Sequence, residues 1–329
     1  MRILGVSEIN VTASATSKWG NTRLRVALVL DNTGSMSDDG KMDALKTASK
    51  NLLTQLKNAA VQDGDVYVSI VPFSKDVNMD PTNYQASWLR WDLWDAANGT
   101  CSDTSRHSQS SCVNHNATWT PADHSTWNGC VTERGSTSAP VSDYDRLTTA
   151  PSTSIQASLF PAEQNSYCSP TIMGLSYSWS SMSTLVDSLY PLGATNQPIG
   201  LVWGWQSLVG GGPLTMPAKD PNYTYSDVII LLTDGLNTLD RWYGNGSSTS
   251  TSVDTRMYDS SGLGTCKNIK DSGVTIYAVQ VNTGGDPTST LLQNCASDSS
   301  KFFLLTSATQ IITTFQAIGT NLTKLRIAQ

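Results

Sequence analysis

The chain has 329 residues, of which 39% are hydrophobic and only 15% are charged, and its net charge is -6. This length is sufficient for one large domain or two ordinary ones, each with a sizeable core. The acidic balance, without a long run of one sign, argues against nucleic-acid binding, and no stretch is long and apolar enough for a transmembrane helix. The apolar run at residues 1–6 is too short for a signal peptide. Either the chain is cytosolic, or it is an exported part whose targeting segment is missing.

The N-terminal quarter predicts an edge strand and then a strand–helix–strand unit. Residues 1–20 form an extension in which 6–16 alternate polar and apolar side chains, a pattern typical of a partly exposed edge strand. Residues 24–31 contain the continuous apolar run 26–30, as in a central parallel strand. Apolar residues recur at helical spacing over about 41–60, and a second strand covers 66–73. This order of elements is the unit of a parallel sheet.

The pattern breaks between residues 76 and 180, where neither a helical nor a strand period lasts long. This segment is rich in Trp, Ser, Thr and Asn and contains four cysteines. Disordered segments are usually poor in aromatic residues, so we expect an irregular insertion held by disulfides. Trp88, Trp91 and Trp94 are candidate partner contacts, because loops near a binding face often shape the binding surface.

The six cysteines contain no Cys-x-x-Cys pair, which excludes the usual zinc-ribbon and thioredoxin patterns. An even count in a poorly patterned segment favours a disulfide framework formed outside the cytoplasm, and six buried thiols are the alternative. Cys266 and Cys295 lie near two predicted helices after neighbouring strands, and we expect them to pair. The other four allow three connectivities, of which we expect Cys101–Cys112 with Cys130–Cys168.

Regular elements return in the C-terminal part of the chain. Helices are predicted at about 182–189, 199–209, 262–271, 288–296 and 311–325, strands at 227–232, 274–281 and 301–305, and a polar loop at 240–262. Residues 21–75 and 181–329 therefore predict one α/β domain with a doubly wound, mostly parallel central sheet flanked by helices. The segment 76–180 interrupts it.

Oxygen-bearing side chains follow the two most apolar strands of this sheet. Asp31, Thr33 and Ser35 come directly after the first of them, and Asp234 follows the strand at 227–232. Thr195 lies between them in sequence, in a loop that opens a helix. In an open α/β sheet, ligand sites lie beyond the carboxyl ends of the strands, and oxygen ligands suit a hard cation such as Mg²⁺. The sequence therefore predicts a metal site at this edge.

These three elements resemble the metal-ion-dependent adhesion site (MIDAS) of von Willebrand factor type A domains, whose pattern is Asp-x-Ser-x-Ser, a Thr on a second loop and an Asp on a third. Thr33 stands in place of the first Ser and keeps the hydroxyl. The resemblance covers about 24–75 and 183–326. It implies Mg²⁺, or Mn²⁺ or Ca²⁺, with Ser35 and Thr195 as direct ligands and the two Asp acting through water. It also implies that a Glu or Asp carboxylate of a partner completes the metal shell.

A closer resemblance is to pilus-assembly proteins of the TadG (TadE/TadG-like) type. It rests on residues 28–36 (LVLDNTGSM), 40–46 (GKMDALK), 193–205 (GATNQPIGLVWGW) and 127–130 (WNGC) in the Cys-containing insertion. Such proteins are envelope components of tight-adherence (Flp) pilus systems, so the resemblance implies an extracytoplasmic location in the periplasm, cell envelope or cell surface. The implied partners are pilus or envelope components or a host or surface ligand. The family usually carries an N-terminal membrane anchor, and since residues 1–20 predict none, we expect a processed or truncated product.

Two other functions are compatible with the same residues. The chain could be a structural pilus or surface subunit with a vestigial metal site, in which Asp31 and Asp234 only cap the following turns. It could also be a Mg²⁺-dependent hydrolase with Asp31 as the nucleophile. Such chemistry commonly needs a second nearby carboxylate or a positioned base, and Thr33 stands where a second Asp would help. The nucleotide-binding P-loop and the Gly-x-Ser-x-Gly motif are both absent. We therefore expect a binding module that is not an enzyme.

Overall fold

A computed structural model of the chain describes residues 22–136 and 141–328, with the side chains of 141–143 and 325–328 excluded. The edge strand predicted at 6–16, and the rest of the extension 1–20, lie outside the described residues. No helix in the described part is long and apolar enough to cross a membrane.

The described part of the chain contains a six-stranded central sheet and several short two-stranded ladders. The strands are β1 Thr22–Asp31, β2 Val66–Phe73, β3 Val77–Asn78, β4 Leu89–Arg90, β5 Gly99–Cys101, β6 Trp119–Pro121, β7 Cys130–Val131, β8 Phe160–Pro161, β9 Met173–Ser176, β10 Thr224–Thr233, β11 Thr275–Val281 and β12 Phe302–Leu305. The order in the central sheet is β12-β11-β10-β1-β2-β9. All its pairs are parallel except β2 with β9.

Helices cover both faces of this sheet, as the sequence predicted. The helices of the described part are α1 Lys41–Ala59, α2 Asp92–Ala97, α3 Gln109–Val113, α4 Trp179–Asp187, α5 Gln197–Val209, α6 Thr251–Met257, α7 Thr265–Asp271, α8 Thr290–Cys295 and α9 Thr309–Ala328. Of these, α2 and α3 lie in the segment 76–180 and contact its short strands. Alternate residues of a strand face opposite sides. Leu28 and Leu30 of β1 accordingly pack in the cluster that holds α1, α4 and α9, whereas Ala27 and Val29 pack in the cluster that holds α5, α7 and α8.

Helix α5 contacts the sheet through two glycines, which leave no room for a side chain between them and the strands. A Cβ added to Gly200 would lie 2.7 Å from the ring of Phe73, and one added to Gly204 would lie 2.5 Å from a methyl group of Val29. Both distances are shorter than a carbon–carbon contact permits. The close approach fixes the position of the N-terminus of α5, and with it the loop that carries Thr195.

The segment 76–180 packs onto the same core through buried aromatic residues. Trp94, Trp127 and Phe160 belong to the cluster beneath α5. Residues Met173–Ser176 of this segment form β9, which extends the central sheet as an antiparallel edge strand. The segment predicted as an irregular insertion therefore contributes one strand to the central sheet at its C-terminal end.

Three disulfides join Cys101 to Cys112, Cys130 to Cys168 and Cys266 to Cys295, which confirms the predicted pairing. The third joins α7 to α8. Elsewhere the predicted elements appear within a few residues of their expected bounds, with one exception. The predicted polar loop at 240–262 contains helix α6, whose Val253 and Met257 are buried.

Candidate metal centre

Three loops meet at the carboxyl edge of the central sheet. Strands β1 and β10 are neighbours, and their last registered pair is Leu30 with Leu232. Asp31 therefore ends β1 beside the end of β10, and Asp234 follows one residue after it. Thr195 precedes α5, the helix packed against these strands. The fold thus gives the predicted residues a common edge.

Backbone hydrogen bonds hold the first two loops together without using any side chain of the site. The amide of Gly34 donates to the carbonyl of Gly193 (3.0 Å), and the amide of Leu192 donates to the carbonyl of Asn32 (2.8 Å). A further backbone bond, from the amide of Thr238 to the carbonyl of Thr195 (2.9 Å), joins the second loop to the third. The three loops are therefore one connected unit.

The carboxylate of Asp31 is fully buried and accepts three hydrogen bonds. Its Oδ1 accepts from the amide (2.8 Å) and the hydroxyl (2.5 Å) of Thr33, and its Oδ2 accepts from the hydroxyl of Thr233 (2.6 Å). Burial, and then the charge of Asp234, raise the pKa of Asp31 to about 7, although the bonds from Thr233 and Thr33 act in the opposite direction. The Asp31 carboxylate therefore acts as a hydrogen-bond acceptor that solvent does not reach.

Asp234 is the second carboxylate of the site, and both of its oxygens also have donors. Oδ1 accepts from the hydroxyl of Ser35 (2.7 Å), and Oδ2 accepts from the ammonium of Lys41 (2.6 Å). The Lys41 ammonium also donates to the carbonyl of Ser35 (3.0 Å). The Asp234 side chain is fully buried, and that of Lys41 is 8% exposed. Lys41 was not predicted as part of the site.

The hydroxyl of Thr195 has no hydrogen-bond partner among the described residues, although its backbone is bonded on both sides. A Cβ added to Gly235 would lie 3.4 Å from Thr195 Oγ1 and 3.5 Å from Ser35 Oγ. The two hydroxyls therefore border the same small space, which glycine keeps open. Thr195, Ser35, Lys41 and Asp234 line one cavity of about 590 Å³.

This donor set fits a hard cation through its hydroxyl oxygens. Thr33 and Ser35 direct their protons to the carboxylates of Asp31 and Asp234, so lone pairs of both hydroxyls stay available. Each carboxylate has about four acceptor sites, of which Asp31 uses three and Asp234 uses two, so sites remain for the protons of a metal-bound water. Between residues 22 and 136 and between 141 and 328, no three His, Cys, Asp or Glu converge as a metal-binding group. A cation here would thus depend on Ser and Thr.

Two of the residues that complete this arrangement were missed from the sequence. Thr233 bonds Asp31, and Lys41 pairs with Asp234. Strand pairing could have identified Thr233. It is one position beyond the Leu30–Leu232 pair, so it lies opposite Asp31. No local pattern identifies the second, since Lys41 reads as the first residue of an amphipathic helix.

The proposed tryptophan contact surface is only partly available. Trp94 is 2% exposed and its indole donates to Gln164 (3.1 Å), so its prediction as a partner contact was wrong. Its large apolar ring is more stable in the core beneath α5. Trp88 and Trp91 are half-buried, and Trp91 stacks on His124 with ring centroids 3.8 Å apart. For these two residues, partner contact stays a prediction.

The second loop is also tied to the insertion. Asn196, which follows Thr195, donates through its amide to the carbonyl of Lys75 (2.9 Å) and to the carboxylate of Glu133. Glu133 also accepts from Thr132 (2.7 Å) and from the amide of Arg241 (3.2 Å). Burial, and then the charge of Asp240, raise the pKa of Glu133 to about 7. The insertion thus supports the loop that carries Thr195.

No family model and no curated protein matches the chain. Among solved structures, it is similar to the pilus adhesin SpaC from Lactobacillus rhamnosus GG, with 16% identity, a TM-score of 0.45, and coverage of 92% of this chain but only 31% of that one. It is also similar to the von Willebrand factor domain of the type V pili tip protein Mfa5 from Porphyromonas gingivalis (10% identity, TM-score 0.46, coverage 94% and 97%).

A third similar structure is proximal thread matrix protein 1 of the mussel byssus with a zinc-occupied MIDAS motif. The identity is 12% and the TM-score 0.41, with coverage of 91% of this chain and 47% of that one. This chain therefore spans about a third to a half of the length of two of these proteins. Such low identities and TM-scores assign no function to it.

Proposed function

We propose that the chain is a non-enzymatic binding module that captures a partner's carboxylate through a divalent cation, Mg²⁺ or Mn²⁺, held by a MIDAS-type site. The observation that supports this most directly is the orientation of the hydroxyls. Thr33 and Ser35 donate their protons inward to buried carboxylates, and Thr195 Oγ1 has no partner among the described residues. Three hydroxyl oxygens can therefore turn lone pairs toward one cation.

The cation would act as a Lewis acid that keeps at least one coordination position for an oxygen from outside the chain. The chain itself supplies neutral hydroxyl ligands directly, while its two carboxylates lie behind them. Neutral direct ligands leave the positive charge of the cation incompletely compensated at the surface, which favours an anionic oxygen of a partner. A Glu or Asp side chain is the simplest protein group of that kind.

The hydrolase alternative has less support from this geometry. A nucleophilic carboxylate needs an oxygen that can approach the substrate. Asp31 is 0% exposed, and its oxygens accept from Thr33 and Thr233. The vestigial-site alternative has more support than the hydrolase alternative, because the ammonium of Lys41 already donates to Oδ2 of Asp234.

We further propose that this module belongs to the envelope or surface of a bacterium with a tight-adherence pilus. The support is the sequence resemblance to TadG-type proteins at residues 28–36, 40–46, 127–130 and 193–205, together with three disulfides, which form and persist mainly in oxidising compartments. Pilus or envelope components would then be its partners. Residues 76–180 would form a structural insertion that packs onto the same core and adds β9 to the central sheet.

Calorimetric titration of Mn²⁺ into the protein tests the cation site. We expect saturable binding to the wild type and a loss of at least about tenfold in affinity for Ser35→Ala and Thr195→Val, because each removes one direct ligand. Ser37→Ala is the matched control, since Ser37 is an exposed hydroxyl two residues from Ser35 that donates to the carbonyl of Gly34. Equal affinity of Ser35→Ala, Thr195→Val and the wild type would contradict the proposal.

A further inference from the structure

Lys41 places a fixed positive charge inside the candidate metal centre. It is the first residue of α1 and follows Gly40, whose φ of +72° turns the chain into the helix. Its ammonium lies 2.6 Å from Oδ2 of Asp234 and 3.0 Å from the carbonyl oxygen of Ser35. Helix geometry therefore directs this side chain back over the loop of Ser35.

The burial of this ion pair distinguishes it from the other lysine pair of the same helix. Lys50 and Asp187 are also 2.6 Å apart, but their side chains are 40% and 56% exposed. The corresponding exposures of Lys41 and Asp234 are 8% and 0%. Charges interact more strongly where water is excluded, so the Lys41 pair affects its surroundings far more than the exposed pair does.

The ammonium of Lys41 changes the net charge of the site. With Asp31 and Asp234 ionised, the two carboxylates carry -2 and Lys41 reduces this to -1. A divalent cation added to the three groups gives +1, whereas without Lys41 the sum would be zero. Lys41 thus weakens the attraction for the cation and adds positive charge for whatever anion binds the loaded site.

We propose that Lys41 is the built-in counter-cation of this site, which lowers its affinity for a divalent cation and raises the affinity of the loaded site for a carboxylate. The inference rests on the proposed function. It adds a specific role for a residue that coordinates no metal: Lys41 competes for Oδ2 of Asp234 and repels the incoming cation. It also explains how a site with two carboxylates keeps a net attraction for an anionic partner.

The first experiment measures Mn²⁺ affinity by calorimetry in Lys41→Met, Lys41→Gln and Lys41→Arg. We expect Lys41→Met and Lys41→Gln to bind Mn²⁺ at least about tenfold more tightly than the wild type, because both remove the charge. Lys41→Gln keeps a hydrogen-bond donor for Asp234, so it tests the loss of charge even if Lys41→Met folds poorly. Lys41→Arg retains the charge and should stay near the wild type.

Lys50→Met is the matched control, because it removes a lysine that forms an equally short pair on the exposed side of the same helix. Its Mn²⁺ affinity should stay within about twofold of the wild type. If Lys41→Met and Lys41→Gln bind Mn²⁺ no more tightly than Lys50→Met, the inference is wrong while the metal site stands. If neither the wild type nor any variant binds Mn²⁺, the proposed function and the inference both fail.

A second experiment titrates acetate into the Mn²⁺-saturated proteins and follows water-proton relaxation, which reports displacement of metal-bound water. Acetate should bind the wild type and Lys41→Arg at least about threefold more tightly than Lys41→Gln, since only the first two leave the loaded site positive. An acetate affinity that is unchanged in Lys41→Gln would overturn the second half of the inference.

Discussion

At the scale of single residues, the site depends on which group donates each proton. Thr33, Thr233 and Ser35 all donate hydroxyl protons to carboxylates, so the carboxylates orient the hydroxyls. Residue type predicted that oxygens would gather here, and it predicted Asp31, Thr33, Ser35, Thr195 and Asp234 as members. It could not predict Lys41, because a contact between residues 41 and 234 depends on how a helix start packs against a distant loop.

The bond from Thr233 to Asp31 makes a prediction about stability. Thr233→Val is nearly isosteric but leaves Oδ2 of a fully buried carboxylate without its donor. We expect the free energy of unfolding to fall by about 1–3 kcal/mol at pH 8, because an unsatisfied buried acceptor costs its desolvation. Urea denaturation in EDTA measures this. Thr233→Ser keeps the hydroxyl and should recover most of the loss; equal losses for Val and Ser would contradict the assignment.

At the scale of elements, the close contact of α5 with the sheet is a stringent test of the packing. Gly204→Ala would place a methyl group 2.5 Å from Val29, too close for either atom. We expect a decrease of about 1–2 kcal/mol in the free energy of unfolding, since overpacking outweighs the gain of about 1 kcal/mol in helix propensity. Denaturant unfolding provides the measurement.

A double-mutant cycle separates this clash from other effects of the substitution. In a Val29→Ala background the space beside Gly204 is open, because the next atoms lie 3.7 Å and 3.9 Å from the added Cβ. Gly204→Ala should then be neutral or stabilising. A similar loss in both backgrounds would show that the contact with Val29 is not what requires glycine at this position.

The elements that could be predicted from the sequence are those with a strong apolar period. The central strands and helices α1, α5 and α9 have such a period and appear near their expected bounds. Helix α6 has only Val253 and Met257 as buried apolar residues, so a polar loop was the better match to its sequence. Strand β9 is four residues long and exists because an edge of β2 is available to it.

At the scale of the whole molecule, a buried carboxylate links the segment 76–180 to the loop of Thr195. Glu133 of the insertion accepts from Asn196 in the loop of Thr195, and it has a pKa raised to about 7 by burial. The sequence showed that this segment contains aromatic residues and disulfides, but its short strands and buried carboxylates arise from contacts between distant residues. No local period marks them.

The raised pKa values of Asp31 and Glu133 predict how stability depends on pH. Both groups lose their proton near pH 4 in the unfolded chain but near pH 7 in the folded one. Between these values the folded state binds more protons, so the free energy of unfolding in EDTA should fall as the pH rises from about 4.5 to 7. Glu133 alone should contribute up to about 3 kcal/mol.

Urea denaturation across this pH range checks the dependence, and Glu133→Gln identifies the part due to one group. This variant loses an acceptor for Thr132 and Arg241, so it should be less stable near pH 5. Its decline between pH 4.5 and 7 should nevertheless be shallower than that of the wild type. An identical slope would mean that Glu133 titrates in the folded chain as it does in the unfolded one.

The backbone bonds between Gly34 and Gly193 and between Leu192 and Asn32 separate two tasks in this protein. Main-chain bonds, together with side chains outside the cavity such as Asn196, hold the loops in place, and the side chains that line the cavity determine what the loops bind. Mutations at positions 35, 41 and 195 can then change which ligand the site prefers without breaking the backbone bonds between the loops.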